Sequence, residues 1–324
     1  MTRFPFNIPN NEPVFTTEYG KAYCSDSIKF MENIPDNSVD LIMTSPPFAL
    51  LRKKKYGNEE SSDYVKWFID NFASEFWRIL KPTGSLVIDI GGTWNKGEPT
   101  RSLYHFELLL QLCSSDIGFH LAQEFYWYNP SKLPSPIQWV NIKRVRVKDS
   151  INPVWWLSKT KNPKANNRNV LTPYKASMKK LFTNGYNDGP RPSGHHVSKK
   201  WGTDNGGAIP PNLIGYEEAF DYFNDNLLEI SNTRSNDKYL NACKILDKKP
   251  HPARFPKELP SFFVNFLTDE GDVIYDPFGG SCVTGEVAEN SKRNWITSEI
   301  LSEYVETSRY RFEELPSPNN DTND

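Results

Sequence analysis

The stretch Val39-Asp40-Leu41-Ile42-Met43-Thr44-Ser45-Pro46-Pro47-Phe48 decides how this 324-residue chain is read. Its first five residues form the short, apolar run of a buried β-strand. Two prolines follow, and neither can donate to a sheet ladder, so the strand must stop there. Such an abrupt strand end leaves exposed the Ser45 hydroxyl and backbone carbonyls without partners. Phe48 adds a flat apolar face. In open α/β sheets, ligands bind at the C-terminal ends of the strands. A hydroxyl, free carbonyls and an aromatic plate at that place suit a planar substrate bearing an amino group. The competing reading of the same residues is a proline-terminated turn with a core Phe, and the rest of the chain decides between them.

Working outward, Lys21 to Met43 reads as strand, helix, strand, with Pro35-Asp36-Asn37-Ser38 as the turn. After Phe48 comes a basic loop, Arg52-Lys53-Lys54-Lys55-Tyr56-Gly57. A helix is expected from Ser62 to Leu80, with Val65, Phe68, Ile69, Phe72, Phe76, Ile79 and Leu80 on one face. Lys81-Pro82-Thr83-Gly84 ends it. A strand over Leu86–Ile90, a helix over Tyr104–Cys113 and a strand over Ala122–Tyr128 follow. Alternation of strands and helices predicts an α/β protein with a parallel, doubly wound sheet. Beyond Lys159 the pattern breaks, and residues 161–243 read as a separate, loop-rich insert. Regular grammar returns with a helix over Leu259–Leu267, strands Val273–Tyr275 and Trp295–Ser298, and a last helix ending near Leu315. The expected parts are thus 21–160, 161–243 and 244–315, with irregular termini at 1–20 and 316–324.

Composition narrows the function. Nine Trp and 14% aromatic residues exclude a disordered chain. No apolar run approaches the ~20 residues of a membrane helix, and Met1-Thr2-Arg3-Phe4-Pro5-Phe6 lacks the apolar core of a secretory signal. Cys24, Cys113, Cys243 and Cys282 lie far apart without metal-ligand spacing, and read as reduced, mostly packed thiols of a cytoplasmic protein. The net charge of −2 hides a sharp asymmetry. Lys132 to Asp204 holds fifteen Lys and Arg against three acids, net +12, leaving −14 on the remainder. Trp139, Trp155, Trp156, Tyr174 and Trp201 are interleaved with those cations. A charge run is often only a solvated face, but this mixture points to a nucleic-acid surface.

The second informative segment is Asp276-Pro277-Phe278-Gly279-Gly280-Ser281, placed between a strand and a helix. Glycines at that junction let backbone N–H groups and a helix N-terminus approach a ligand. The segment is neither Gly-x-Gly-x-x-Gly nor a phosphate loop. Glu299 ends the next strand about twenty residues on, where an acid can accept both hydroxyls of a ribose. Together they point to a nucleoside cofactor.

Ser45-Pro46-Pro47-Phe48 and Asp276 to Ser281 resemble the catalytic and cofactor motifs of the DNA amino-methyltransferases. Their order, with a recognition insert between, matches the β group. The Ser-Pro-Pro form is typical of N4-cytosine enzymes, whereas adenine enzymes usually carry Asp-Pro-Pro-Tyr. Trp127 to Pro134, Trp155 to Lys159, Gly206 to Asn212 and His251 to Pro256 extend the similarity, to the PvuII-type N4-cytosine methyltransferases, over most of residues 21–315. The resemblance implies an S-adenosyl-L-methionine-dependent methyltransferase sheet in which 161–243 recognises the target site. It implies that Asp276, Phe278, Gly279, Gly280 and Ser281 cradle the cofactor, that Glu299 holds its ribose, and that Asp26 lies near its adenine. The chain departs from many relatives at Cys282, where they carry Gly. Residues 215–229 look like an added acidic helical segment, so no recognition sequence transfers.

The implied chemistry is methylation of a cytosine N4 on a base flipped from double-stranded DNA. Ser45 Oγ and the Pro46 carbonyl accept the two N4–H bonds, Pro47 stiffens the turn, Phe48 stacks on the base, and Asp89 bonds Ser45 or takes the leaving proton. Alignment and electrostatics supply the rate. Arg52, Lys53, Lys54, Lys132, Arg144, Arg146, Lys179 and Lys180 are expected on DNA. The resemblance further implies a monomer paired functionally with a restriction endonuclease that reads the same site. The alternatives are adenine-N6 transfer, disfavoured by Ser45 in place of Asp, and a DNA-binding module without activity, disfavoured because every motif residue is present. A nicotinamide dehydrogenase is disfavoured by the glycine spacing. His195 and His196, inside the basic insert, are read as meeting phosphate or solvent.

Overall fold

The computed structural model describes residues 4–49, 61–185, 189–197, 202–215 and 237–314. Its strands, in chain order, are β1 (Phe15–Thr16), β2 (Gly20–Cys24), β3 (Val39–Thr44), β4 (Leu80–Asp89), β5 (His120–Tyr128), β6 (Ile151–Ser158), β7 (Gly189–Pro190), β8 (His196–Val197), β9 (Leu213–Ile214), β10 (Val273–Asp276) and β11 (Asn294–Glu299). Nine of them form one sheet in the order β1-β2-β11-β10-β3-β4-β6-β5-β9. From β2 to β4 the pairing is parallel. All six residues of β3 are buried, as expected of a parallel strand covered on both faces.

The sheet is not parallel throughout. β6 runs against both β4 and β5, so a reversed strand lies inside a sheet expected to be parallel. Pro153 in β6 masks it at the sequence level. The proline is harmless toward β4 because that ladder ends one residue away, at Asp89 opposite Val154. β4 also starts earlier than expected: Leu80 pairs with Val39, the ladder skips, and pairing resumes at Ser85 opposite Leu41. Lys81 to Gly84 therefore form an irregularity within the strand rather than a stop between helix and strand. The preceding helix is α-helical over Tyr64–Phe68 and Ser74–Ile79, with a π-helical turn at Ile69–Ala73. Such turns insert a residue and re-aim a helical face.

Strict alternation along the strands builds two apolar layers. Ile42, Leu86, Ile88, Trp155 and Leu157 face the layer that holds Phe68, Phe72, Phe76, Tyr104 and Leu108. Leu41, Met43, Val87, Val154 and Trp156 face the other, with Leu259, Phe263, Val264 and Leu267 of the helix Glu258–Leu267. The described residues of 161–243 are fastened to this body. Asn166 N donates to Phe266 O at 2.8 Å, Lys164 bridges Asp269 and Asp272, and β9 pairs with β5. Most of the acidic segment 215–229 lies outside the described residues. Among the described residues no helix is long and apolar enough to cross a membrane.

Trp155, fully buried on β6, tests the reversed strand. Trp155→Ala should lower unfolding stability by about 3–5 kcal/mol, read as a shifted urea midpoint at unchanged slope. A loss below about 1 kcal/mol would mean that the indole contributes little to that layer.

Candidate active site

The C-terminal ends of β3, β4, β10 and β11 open onto one cavity of about 610 Å3, within the ~300–1,000 Å3 of small-molecule sites. Both sequence motifs line it: Ser45 to Phe48 on one side, Pro277 to Ser281 on the other. Asp26, Asp89 and Glu299 reach the same space. Residues more than 230 positions apart thus meet because β3 and β10 are neighbours.

Just beyond the end of β3, Ser45 Oγ donates to Asp89 Oδ2 at 3.1 Å. Asn152 Nδ2 donates to Asp89 Oδ1 at 3.3 Å. Burial pushes the Asp89 carboxyl up to about 6, against the lowering effects of those two hydrogen bonds and of the nearby Lys132 cation. A hydroxyl that donates to a carboxylate keeps its lone pairs for an incoming N–H. Phe48 lies against Gly91, where a Cβ would come within 2.6 Å of the ring. Trp67 and Phe72, displayed on either side of the start of the π-helical turn, also line the cavity, and Phe72 meets Phe278 at 5.1 Å.

At the opposite end, the glycine turn differs from its expected form. Gly279 N donates to Ser298 O and Gly280 N to Glu299 Oε2, at 3.0 and 2.9 Å. Both N–H groups are held inside the protein and do not point to a ligand. The glycines are needed for shape. A Cβ on Gly279 would sit 1.9 Å from Thr297 Oγ1, and Gly280 has φ +51° beside the His251 ring. Glu299 lines the cavity while also accepting Leu301 N at 3.0 Å. Asp276 does not line it. Its buried carboxylate accepts Thr44 Oγ1 (3.0 Å), Thr284 Oγ1 (2.8 Å) and Phe278 N (3.1 Å), so its place is structural. Asp26 lines the cavity and caps Ile28 N at 3.0 Å.

A family model described as DNA methylase matches residues 39–309. The chain belongs to this DNA methylase family. The methylase is 49% identical to the type II methyltransferase M.PvuII of Proteus hauseri, over 93% of this chain and 86% of that protein. It superposes on the solved structure of PvuII DNA methyltransferase (cytosine-N4-specific) with a TM-score of 0.73, at 43% identity, covering 98% of this chain and 92% of that one. It shares its fold with the M1.HpyAVI–SAM complex at a TM-score of 0.50 and 18% identity, over 90% of this chain and 98% of that one.

The residues expected on DNA separate in the methylase. Lys132 lines the cavity, where its ammonium bonds Asn152 Oδ1 and Ile151 O. Arg144, Arg146, Lys179 and Lys180 are exposed, and Arg146 Nε also donates to Pro99 O at 2.9 Å. Arg52, Lys53 and Lys54 lie outside the described residues. Cys282 takes φ +56°, the left-handed region that favours glycine. Three positions escaped sequence reading. Asn152 and Thr297 touch site residues across the sheet. Arg311, buried, holds the Ser281 carbonyl and hydroxyl, Asp237 and Glu286. No local motif marks partners so far apart along the chain.

The close approach of Gly279 to Thr297 is directly testable. Gly279→Ala should destabilise the methylase by about 1–3 kcal/mol, as overpacking against a strand does. Gly279→Ala with Thr297→Ala should recover most of the loss in thermal unfolding. Additive losses would place the steric conflict elsewhere.

Proposed function

We propose that this chain methylates the exocyclic N4 of a flipped cytosine at a specific site in double-stranded DNA. The observation that carries the reading is the Ser45–Asp89 hydrogen bond at the mouth of β3, inside the cavity that the glycine turn also walls. A hydroxyl backed by a carboxylate can hold an amino group and accept its proton. The cavity fits S-adenosyl-L-methionine: Glu299 presents a carboxylate for a ribose, Phe278 and Phe72 form an apolar wall, and Gly279 and Gly280 leave the turn without side chains. When bound, that cofactor supplies an electrophilic methyl group.

The chain's own residues do the rest. The Ser45 hydroxyl and the Pro46 carbonyl accept the two N4–H bonds and turn the nitrogen lone pair out of conjugation. Pro47 keeps the turn rigid, and Phe48, braced on Gly91, stacks on the ring. One N4 proton leaves as the N–C bond forms, and it passes through Ser45 to Asp89. Asp26, Phe278, Gly280, Ser281 and Glu299 border the cofactor, with Gly279 and Asp276 shaping the turn. Residues 161–243 read the target, between the catalytic half 21–160 and the cofactor half 244–315. Arg144, Arg146, Lys179 and Lys180 meet phosphates; Val145 and Val147, exposed among the arginines, add an apolar surface. The enzyme works in the cytoplasm as a monomer beside an endonuclease of the same specificity. Methylome sequencing of a host expressing the chain tests base, position and site together; N6-methyladenine in place of N4-methylcytosine would overturn the assignment.

Ser45→Ala should lower the single-turnover rate by roughly 10²–10³, as loss of one positioned hydrogen bond does, with DNA affinity retained. Asp89 must be ionised to take the proton. With its carboxyl at about 6, the rate should fall as pH drops through that value. Asp89→Asn should abolish both the limb and most of the rate. A flat profile from pH 5 to 8 would remove Asp89 from the proton path.

Neutralising Arg144, Arg146, Lys179 and Lys180 together should reduce the log–log salt slope of DNA binding by about 0.9 for each phosphate left without its cation. Unchanged slope and affinity across a salt series would put DNA on another face.

A further inference from the structure

Lys132 stands in the basic segment, yet its ammonium turns inward to the wall of the cavity. It donates to Asn152 Oδ1 and, at 3.2 Å, to Ile151 O. Asn152 passes its own Nδ2–H to Asp89 Oδ1, and Asp89 Oδ2 receives Ser45. Four cavity residues from separate segments therefore form one continuous chain from a cation to the catalytic hydroxyl. Its polarity is fixed by chemistry. An ammonium has donors and no acceptor, so Asn152 must offer it the carbonyl oxygen. The amide nitrogen is then left facing Asp89, where only an acceptor fits.

We propose that Lys132 is a positioning residue for proton removal: through Asn152 it orients the donor that meets Asp89 and holds Asp89 as an anion beside Ser45. The inference rests on the methyl-transfer reading above. As the N–C bond forms and the donor's C–S bond breaks, the proton leaving N4 moves to Asp89 by way of Ser45, and the anion is neutralised. The cation beside it keeps the acceptor empty at the start of each cycle. The other groups near this chain are accounted for. Tyr104 donates its hydroxyl to Gly91 O, and burial holds its phenol neutral. Arg101 pairs with Asp149 at 2.5 Å, and this pair acts on Lys132 with opposing signs. Burial lowers the Lys132 ammonium from its usual range, and Asp149 and Asp89 oppose that loss.

The test follows the Asp89 carboxyl by 13C NMR in the ligand-free protein, assigned by its absence in Asp89→Asn, together with the pH dependence of single-turnover methylation. Lys132→Met should raise both midpoints by about one pH unit, the low end of what a nearby opposite charge contributes, and slow turnover about threefold at pH 6.5. Lys132→Arg should restore both. Lys132→Gln keeps a donor for Asn152 without the charge and should show the same upward shift. DNA affinity and its salt slope should stay at wild-type values. Unmoved midpoints in the Met and Gln variants, or a lowered salt slope with an unchanged profile, would overturn the proposal and return Lys132 to the phosphate-binding cations. Wild-type methyl transfer to cytosine, measured alongside, tests the underlying reading separately.

Discussion

The molecule turns on one buried carboxylate. Asp276 ends β10 and receives hydrogen bonds from Thr44 at the end of β3, from Thr284 in the following helix and from Phe278 N in the turn between. Burial pushes its carboxyl up to about 6, so the fold keeps it only because three donors compensate its lost hydration. Those bonds lock the strand that presents Ser45 to the turn that presents Phe278. The Ser45 and Phe278 sides of the cavity therefore share one fixed frame.

Around that frame the cavity is assembled from unlike pieces. The parallel strands contribute their C-terminal ends, as open α/β sheets do. The reversed strand β6 contributes the opposite end: Asn152 lies near its start, yet reaches Asp89 because antiparallel pairing brings a strand start beside a strand end. A purely parallel sheet would have put that residue at the far edge. The departure from the expected topology is thus what supplies the second partner of the Asp89 carboxylate.

Much of this was legible in the sequence, and the remainder shows where local reading stops. The Ser-Pro-Pro-Phe and Asp-Pro-Phe-Gly-Gly segments declare themselves because prolines and glycines restrict backbone geometry locally. β3 and β10 follow from short apolar runs, and β11 from the β-prone Trp295-Ile296-Thr297. β6 stayed hidden because Pro153 argues against a strand, and the early start of β4 because Pro82 and Gly84 read as a stop. The glycine turn was recognised for the wrong reason, since Thr297, on the neighbouring strand, is what Gly279 must clear. Lys132 was grouped by charge with its neighbours, and charge density says nothing about which way one side chain turns.

Arg311 has a consequence for the order in which the protein is made. Its guanidinium seals the carbonyl and hydroxyl of Ser281, thirty residues earlier, and neutralises Glu286 and Asp237 around it. On the ribosome, the motif at 276–281 emerges well before this arginine does. Until it arrives, Asp237 lacks this ion pair and Glu286 holds only Lys257. The turn after β10 therefore gains its buried guanidinium partner only when the C-terminal end of the described residues has been made.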